Sequence, residues 1–288
     1  MPSCDSSAGL TALEPRALAE ELHRALRDPS IDGVIVACGG WTLLLVLPFL
    51  DYELIGASAK PVVGYSDAAS LVNLVAQRAD LVAFHGPMAL PEWGEAGGSW
   101  ELTSASFQRV VGDESWSELA VPVAEVWSDE VLWWDREDDR ARRGSSDGES
   151  TRVVRAGAAA DGVLWGGSIV ALGLLAGTDL WPAPSGALVF LEAEAVAPDE
   201  LAARLWQLRL AGAFDGAAAV MLGKIGQPRA TSWGYADFDG VLAAAVPEGI
   251  PLVAGLDIGH TEPMVTLPVG ARAILSAEGS RPSLTLHR

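Results

Sequence analysis

The chain has 288 residues, half of them hydrophobic, and carries 38 acidic against 19 basic side chains for a formal charge of −19. Cores usually divide at this length, which predicts two domains, and a strongly acidic chain repels nucleic acid and anionic membrane surfaces, so neither is expected as a partner. The first thirty residues lack a basic stretch leading into an apolar one, the longest apolar run (Trp41–Leu50) is too short to span a bilayer, and the two cysteines, Cys4 and Cys38, make no disulfide or CxxC framework, all of which points to the reducing cytoplasm.

In chain order, Glu14–Arg27 spaces Leu18, Leu22, Ala25 and Leu26 as a helix that Asp28-Pro29 stops, and Ile31–Ala37 reads as a short buried strand. The stretch Leu43–Asp51, a strand Pro61–Val63, a helix Ala68–Arg78 and a strand Leu81–Phe84 continue the alternation, which predicts an α/β fold whose N-terminal sheet is mostly parallel and flanked by helices. Between Asp135 and Gly162 charge, Gly, Ser and Ala predominate, as in an exposed crossover. Beyond it come a helix Ser168–Leu175, a strand Ala187–Leu191, a helix Pro198–Ala211, a strand Ala217–Leu222, and strands near Pro251–Ala254 and Ala271–Leu275, a smaller mixed α/β domain. The expected division is an N-terminal domain over 1–120, a Trp-rich loop and crossover over 121–162, and a C-terminal domain over 163–288.

The segment from Lys60 to Asp67 runs straight into the helix at Ala68, placing Ser66 at a sharp bend between strand and helix. A hydroxyl there is lifted out of the sheet beside the free amides of a helix start, the geometry of a nucleophile and its oxyanion site; an ordinary helix N-cap is the alternative. Gly39-Gly40 falls at another strand end, where open α/β sheets bind ligands. A serine nucleophile needs a base, normally a histidine oriented by a carboxylate. His23, on a charged helix, and His287, in the C-terminal tail, read as bystanders; His85 follows a strand and either shapes the site or is structural; His260, in a polar loop after the strand Pro251–Ala254, is the best candidate base. For the acid, Glu192 ends the apolar strand Ala187–Leu191 and Glu194 lies two residues on, the alternative being that both are solvated loop residues. No GxGxxG, P-loop or HExxH is present, so nucleotide-phosphate binding and metal-dependent hydrolysis have no motif. Trp127, Trp133 and Trp134 cluster ahead of the crossover as a stacking surface for a planar group or as core.

Taken together, Gly39-Gly40, Leu50–Ile55, Gly64-Tyr65-Ser66-Asp67, His85-Gly86-Pro87, Gly166-Gly167-Ser168, Phe190-Leu191-Glu192 and Gly259-His260-Thr261 resemble the LD-carboxypeptidase family of serine peptidases over nearly the whole chain. The resemblance implies Ser66 as nucleophile, Glu192 and His260 as its partners, and an oxyanion hole from the N–H groups of Gly40 and Asp67. It further implies a cytoplasmic, commonly dimeric enzyme that acts on a small molecule or peptide conjugate and needs no metal or cofactor. One branch of the family trims muropeptides, and another confers microcin C resistance by cleaving an aminoacyl or peptidyl group from a nucleotide-like carrier. The separation of 126 positions from Ser66 to Glu192, with the segment Glu125–Glu130 and Trp133-Trp134, resembles the inserted loop of the second branch, so that Trp134 or Trp133 would stack on a nucleobase.

Gly39, Trp41, His85 and Ser168 complete the expected substrate-binding set. Cys38 stands where the family usually has Arg, Trp41-Thr42 where it has a Tyr-Gly or similar pair, and Ser168 where it has Asn; these changes replace pocket residues and bear on the substrate more than on the triad. The family's opening strand–helix–strand has no counterpart in this sequence, so either a partner chain covers the sheet edge or the start is incomplete. Hydrolysis is the expected chemistry. Transfer of the acyl group to an amine or alcohol in small-molecule assembly, and ligand binding without catalysis, are the alternatives.

Overall fold

The computed structural model describes residues 14–113, 115–132, 137, 139–142, 144, 151–181, 185–228, 235–279 and 281–288. Its first part runs α1 (Pro15–Arg27), β1 (Val34–Ile35), α2 (Leu43–Val46), α3 (Tyr52–Ser58), β2 (Val62–Val63), α4 (Ala69–Arg78), β3 (Ala83–His85), α5 (Glu101–Phe107) and β4 (Glu118–Ala120). There follow β5 (Arg152–Arg155), β6 (Ala160–Ser168), α6 (Ile169–Leu175), β7 (Ala187–Glu192), α7 (Pro198–Leu210), β8 (Ala219–Gly223), α8 (Tyr235–Ala245), β9 (Leu252–Leu256), β10 (Leu267–Val269), β11 (Arg272–Ser276) and β12 (Ser283–His287).

The helices start and stop for local reasons. Pro15 opens α1, where a missing N–H costs nothing, and Arg24 and Arg27 sit in its last turn against the carbonyl end of the dipole. Asp51 caps α3 by accepting the Leu54 N–H at 2.9 Å, and the Asp51 N–H donates to Nε2 of His23 at 3.0 Å. His23 is therefore buried and joins α1 to α3, although its charged neighbours in sequence suggest a surface residue.

Among the described residues two sheets form, in strand orders β1-β2-β3-β10 and β4-β12-β11-β6-β7-β8-β9-β5. In the first, β1, β2 and β3 are parallel, as expected, and β10 joins antiparallel with Leu267 opposite His85. The second is parallel through β6, β7, β8 and β9, and its eight strands make it the larger of the two. Residues of β7, β8 and β9 are buried at every position, the condition under which a strand reads as an unbroken apolar run. Helix α4 is buried from Ala69 through Val75 and packs against β3 and β6. Its Asn73 is clamped to the larger sheet, the amide donating to the Gly166 carbonyl at 2.7 Å and accepting the Gly166 N–H at 3.1 Å.

Several expected boundaries shift. The strand Ile31–Ala37 contracts to the edge pair Val34–Ile35, although the Val36 N–H still donates to Val63 at 2.9 Å. The expected crossover contains β5 and the start of β6. His287 lies in β12, paired with β4 and β11, rather than in a free tail. No helix of the described residues is long and apolar enough to cross a membrane.

Candidate active site

After β2 the chain stays extended through Tyr65, and Ser66 then adopts φ 57° and opens a 3-10 turn, Ser66–Ala68, that runs into α4. A left-handed serine costs about 1–3 kcal/mol and persists where the surroundings hold it. What holds it is close: a Cβ at Gly39 would lie 2.7 Å from Ser66 Oγ, so only glycine lets that loop approach. Gly40 faces open space instead. The Asp67 carboxylate accepts the N–H groups of Thr42 at 2.9 Å and Leu43 at 3.0 Å, tying the glycine loop to the serine turn. The Asp67 N–H lies in the first turn, where a helix offers no internal acceptor.

Nε2 of His260 lies 3.2 Å from Ser66 Oγ, and its Nδ1 lies 2.7 Å from Glu192 Oε2. Glu192 is fully buried at the end of β7, opposite Ser168 in the β6–β7 register. Gly259 makes room for it: φ is 85° there, and an added Cβ would come within 2.6 Å of the Glu192 side chain. Tyr65 sets its ring edge-on to His260, with centroids 5.0 Å apart, and its hydroxyl donates to Glu92 Oε1 at 2.8 Å. The second Glu92 oxygen accepts the Met88 N–H at 2.7 Å. Oε1 of the half-exposed Glu194 lies 3.3 Å from His260 Nε2.

The electrostatics follow from burial and neighbours. Burial disfavours the His260 imidazolium, but the charges of Glu192, Glu194 and Glu92 and the hydrogen bond that the ring donates to Glu192 outweigh it and raise the ring to about 9. Burial pushes the Glu192 carboxyl up, and His260 more than reverses this, so Glu192 titrates below its ordinary range. Burial lowers His85 to about 4 and raises Glu92.

A cavity of about 310 Å³ opens over the serine, with Gly39, Gly40, Trp41, Ser66, Ser168 and His260 in its wall. Trp41 is 65% exposed at its mouth. The structure places His85 elsewhere: it is fully buried beneath the site, edge-on to Tyr65 and Phe190 at 5.9 and 5.1 Å, and does not line the cavity. Trp133 and Trp134 lie outside the described residues. Trp127 is a core residue, its ring 5.6 Å from Nζ of Lys224, which is buried in an ion pair with Asp257. Sequence reasoning assigned no part to Tyr65, Glu92 or Arg142. Arg142 is in the cavity wall, with Nε 3.5 Å from Glu95 Oε2; it comes from the charged crossover, where no periodicity marks one arginine among several.

Residues 2–86 match the N-terminal domain of LD-carboxypeptidases and residues 161–275 match their C-terminal domain. The chain is 25% identical over 268 residues to the microcin C7 self-immunity protein MccF of Escherichia coli, covering 93% of this chain and 77% of that protein. It is 26% identical over 264 residues to the probable murein peptide carboxypeptidase of Bacillus subtilis (strain 168), covering 89% and 72%. The solved structure of MccF in complex with aspartyl sulfamoyl adenosine superposes with a TM-score of 0.84 at 25% identity, over 96% of this chain and 82% of that one.

Proposed function

This chain belongs to the LD-carboxypeptidase family of serine peptidases, and on that premise we propose that Ser66, His260 and Glu192 form its catalytic triad and cleave an amide-type bond in a small aminoacyl- or peptidyl-nucleotide-like compound, in detoxification or self-immunity. The observation that carries the reading is the continuous hydrogen-bonded chain from Ser66 Oγ through His260 to Glu192, at 3.2 and 2.7 Å, opening onto a cavity. Ser66 Oγ attacks the carbonyl as His260 Nε2 takes its proton, and the oxyanion faces the N–H groups of Gly40 and Asp67. His260 then protonates the leaving amine, and water repeats the sequence on the acyl-enzyme. Glu192 holds the ring in the tautomer this requires and stabilises the imidazolium that forms. Because the neutral ring is the base and its pKa is raised to about 9, the rate on kcat/KM should climb with pH across the neutral range.

The nucleotide-like substrate is favoured by the likeness to MccF bound to aspartyl sulfamoyl adenosine and by the exposed Trp41 at the cavity mouth, a flat apolar face suited to stacking. A second reading, muropeptide trimming, is favoured by the similarity to the Bacillus subtilis murein peptide carboxypeptidase. Intact-mass analysis after exposure to an aminoacyl sulfamoyl adenosine, to a tetrapeptide muropeptide and to a fluorophosphonate, with wild type and Ser66→Ala in parallel, separates them. A Ser66-dependent adduct with nucleoside release is expected, and Ser66→Ala should lower turnover at least about a thousandfold. Undiminished turnover by Ser66→Ala would overturn the triad, release of a terminal residue from the muropeptide alone would select the second reading, and a new amide or ester product would identify a transferase. A folded protein that binds without an adduct would be a binding scaffold.

A further inference from the structure

We propose that Glu194 is the receptor for a cationic amine on the acyl group of the substrate, and that occupying it frees His260 to act as base. The inference rests on the roles of Ser66, His260 and Glu192 given above and deepens them by naming the substrate class: acyl donors with a free amine on the carbon next to the scissile carbonyl, as in aminoacyl groups.

The geometry is unusual for a serine–histidine pair. Glu194 Oε1 at 3.3 Å and Ser66 Oγ at 3.2 Å share one ring nitrogen, Nε2, while Glu192 holds Nδ1 at 2.7 Å. An imidazole with a carboxylate at each nitrogen keeps both protons, and an imidazolium cannot accept the serine proton. Among the described residues, the charged and titratable groups around the ring are Glu192 at the end of β7, Glu194 two residues beyond it, Glu92 after β3, His85 on β3 and Tyr65 beside Ser66, and Arg142 lies in the wall of the same cavity. Glu192 is sealed in the core, and Glu92 is buried and engaged by Tyr65 and Met88. His85 has its pKa lowered to about 4 and is neutral. Of the three carboxylates only Glu194 is both in the cavity wall and open to solvent, its side chain 47% exposed.

Its position is built. Glu194 pairs as a bridge with Gly226, and the Ala195 N–H donates to the Gly226 carbonyl at 2.8 Å. Ala195 adopts φ 48°, a left-handed conformation unfavourable for a residue with a Cβ, so the backbone is held in a strained turn directly after the carboxylate.

The chemistry then follows. With the acyl carbonyl against Ser66 Oγ, a substituent on the next carbon sits within reach of the Glu194 carboxylate. An ammonium there forms a charge-assisted hydrogen bond, whereas a hydrogen or an acylated nitrogen does not. Once Glu194 is shared with that ammonium, its hold on Nε2 weakens and the added positive charge disfavours the imidazolium. The Nε2 proton leaves to solvent through the open cavity, and the neutral ring takes the serine proton. Substrate recognition and activation of the base become one event.

Glu194→Gln tests this with two readouts of opposite sign. The first is the pH dependence of Ser66 labelling by a fluorophosphonate, which carries no amine; the variant should be labelled severalfold faster near neutral pH, its midpoint displaced to lower pH by at least about half a unit. The second is kcat/KM for the p-nitrophenyl esters of alanine and propionate, corrected with Ser66→Ala. Wild type should favour the alanine ester by about ten- to a hundredfold, and the variant should lose that preference. An unchanged labelling midpoint, or a preference that survives in the variant, would overturn the proposal while leaving the triad standing. Wild type that fails to label at Ser66 would overturn the triad reading and this proposal with it.

Discussion

A methyl group at position 259 would meet the Glu192 side chain at 2.6 Å on a backbone whose φ of 85° already excludes most residues. Gly259→Ala must therefore move either the acid or the histidine beside it, and misplacement by about 1 Å costs on the order of a hundredfold in rate. The expected result is a fall of that size in kcat for p-nitrophenyl ester hydrolysis with KM little changed; a variant within twofold of wild type would show that the glycine is dispensable. The convergence of Ser66, Glu192 and His260 was legible because each comes at or after an apolar strand, β2 of the smaller sheet for Ser66 and β7 and β9 of the larger for Glu192 and His260, and strand ends are where α/β folds gather ligand-binding side chains. His85 follows the same pattern and misleads, since its burial depends on β10 pairing with β3, a contact from the far end of the chain. Arg142 and the ring-to-carboxylate link from Tyr65 to Glu92 were hidden for the same reason: side-chain neighbours distant in sequence leave no local pattern.

At the scale of elements, the segment between β9 and β10 is fastened by Glu262. Its backbone exchanges hydrogen bonds with Ser128 at 2.7 and 2.9 Å, and its buried carboxyl accepts from Thr103 Oγ1 of α5 at 2.9 Å. Burial, and then the charge of Glu92, raise this carboxyl to about 8. A group that binds its proton more tightly folded than unfolded adds stability that is complete below its unfolded pKa and is lost as pH rises through the folded value. Between pH 5 and 9 the Tm of wild type should therefore fall, and Glu262→Gln, which keeps an acceptor for Thr103 without the charge, should fall less; parallel curves by calorimetry would refute the assignment. Uninterrupted apolar runs such as β7 were read correctly, because a strand covered on both faces needs no polar partner. The strand Leu267–Val269 is not among the expected ones; it contains Pro268, and its place at an edge of the smaller sheet is where proline is tolerated. The crossover is shorter than its composition suggests, because Arg152–Arg155 is only half-buried and its charges mask its strand character.

Over the whole molecule, the two sheets are joined by more than adjacent packing. The smaller sheet takes β10 from the C-terminal half, the larger takes β4 from the N-terminal half, and Asn73 of α4 is hydrogen-bonded both ways to Gly166. Neither sheet keeps its strands if the other unfolds, so scanning calorimetry should give one transition with a calorimetric to van't Hoff enthalpy ratio near one, and two resolved transitions would show that the halves are independent. The alternation of helix and strand announced the α/β class, but not this exchange of edge strands, which depends on pairing across more than half the chain. That exchange also has a consequence for biosynthesis. While the polypeptide emerges from the ribosome, the serine turn is made early, but its sheet has no final strand and its histidine no place to dock until the residues around β10 have left the exit tunnel. Long-range pairing of this kind delays folding to the end of synthesis, so a chain cut short before β10 would carry the serine turn without the last strand of its sheet, and the cell would meet the fold only in finished form.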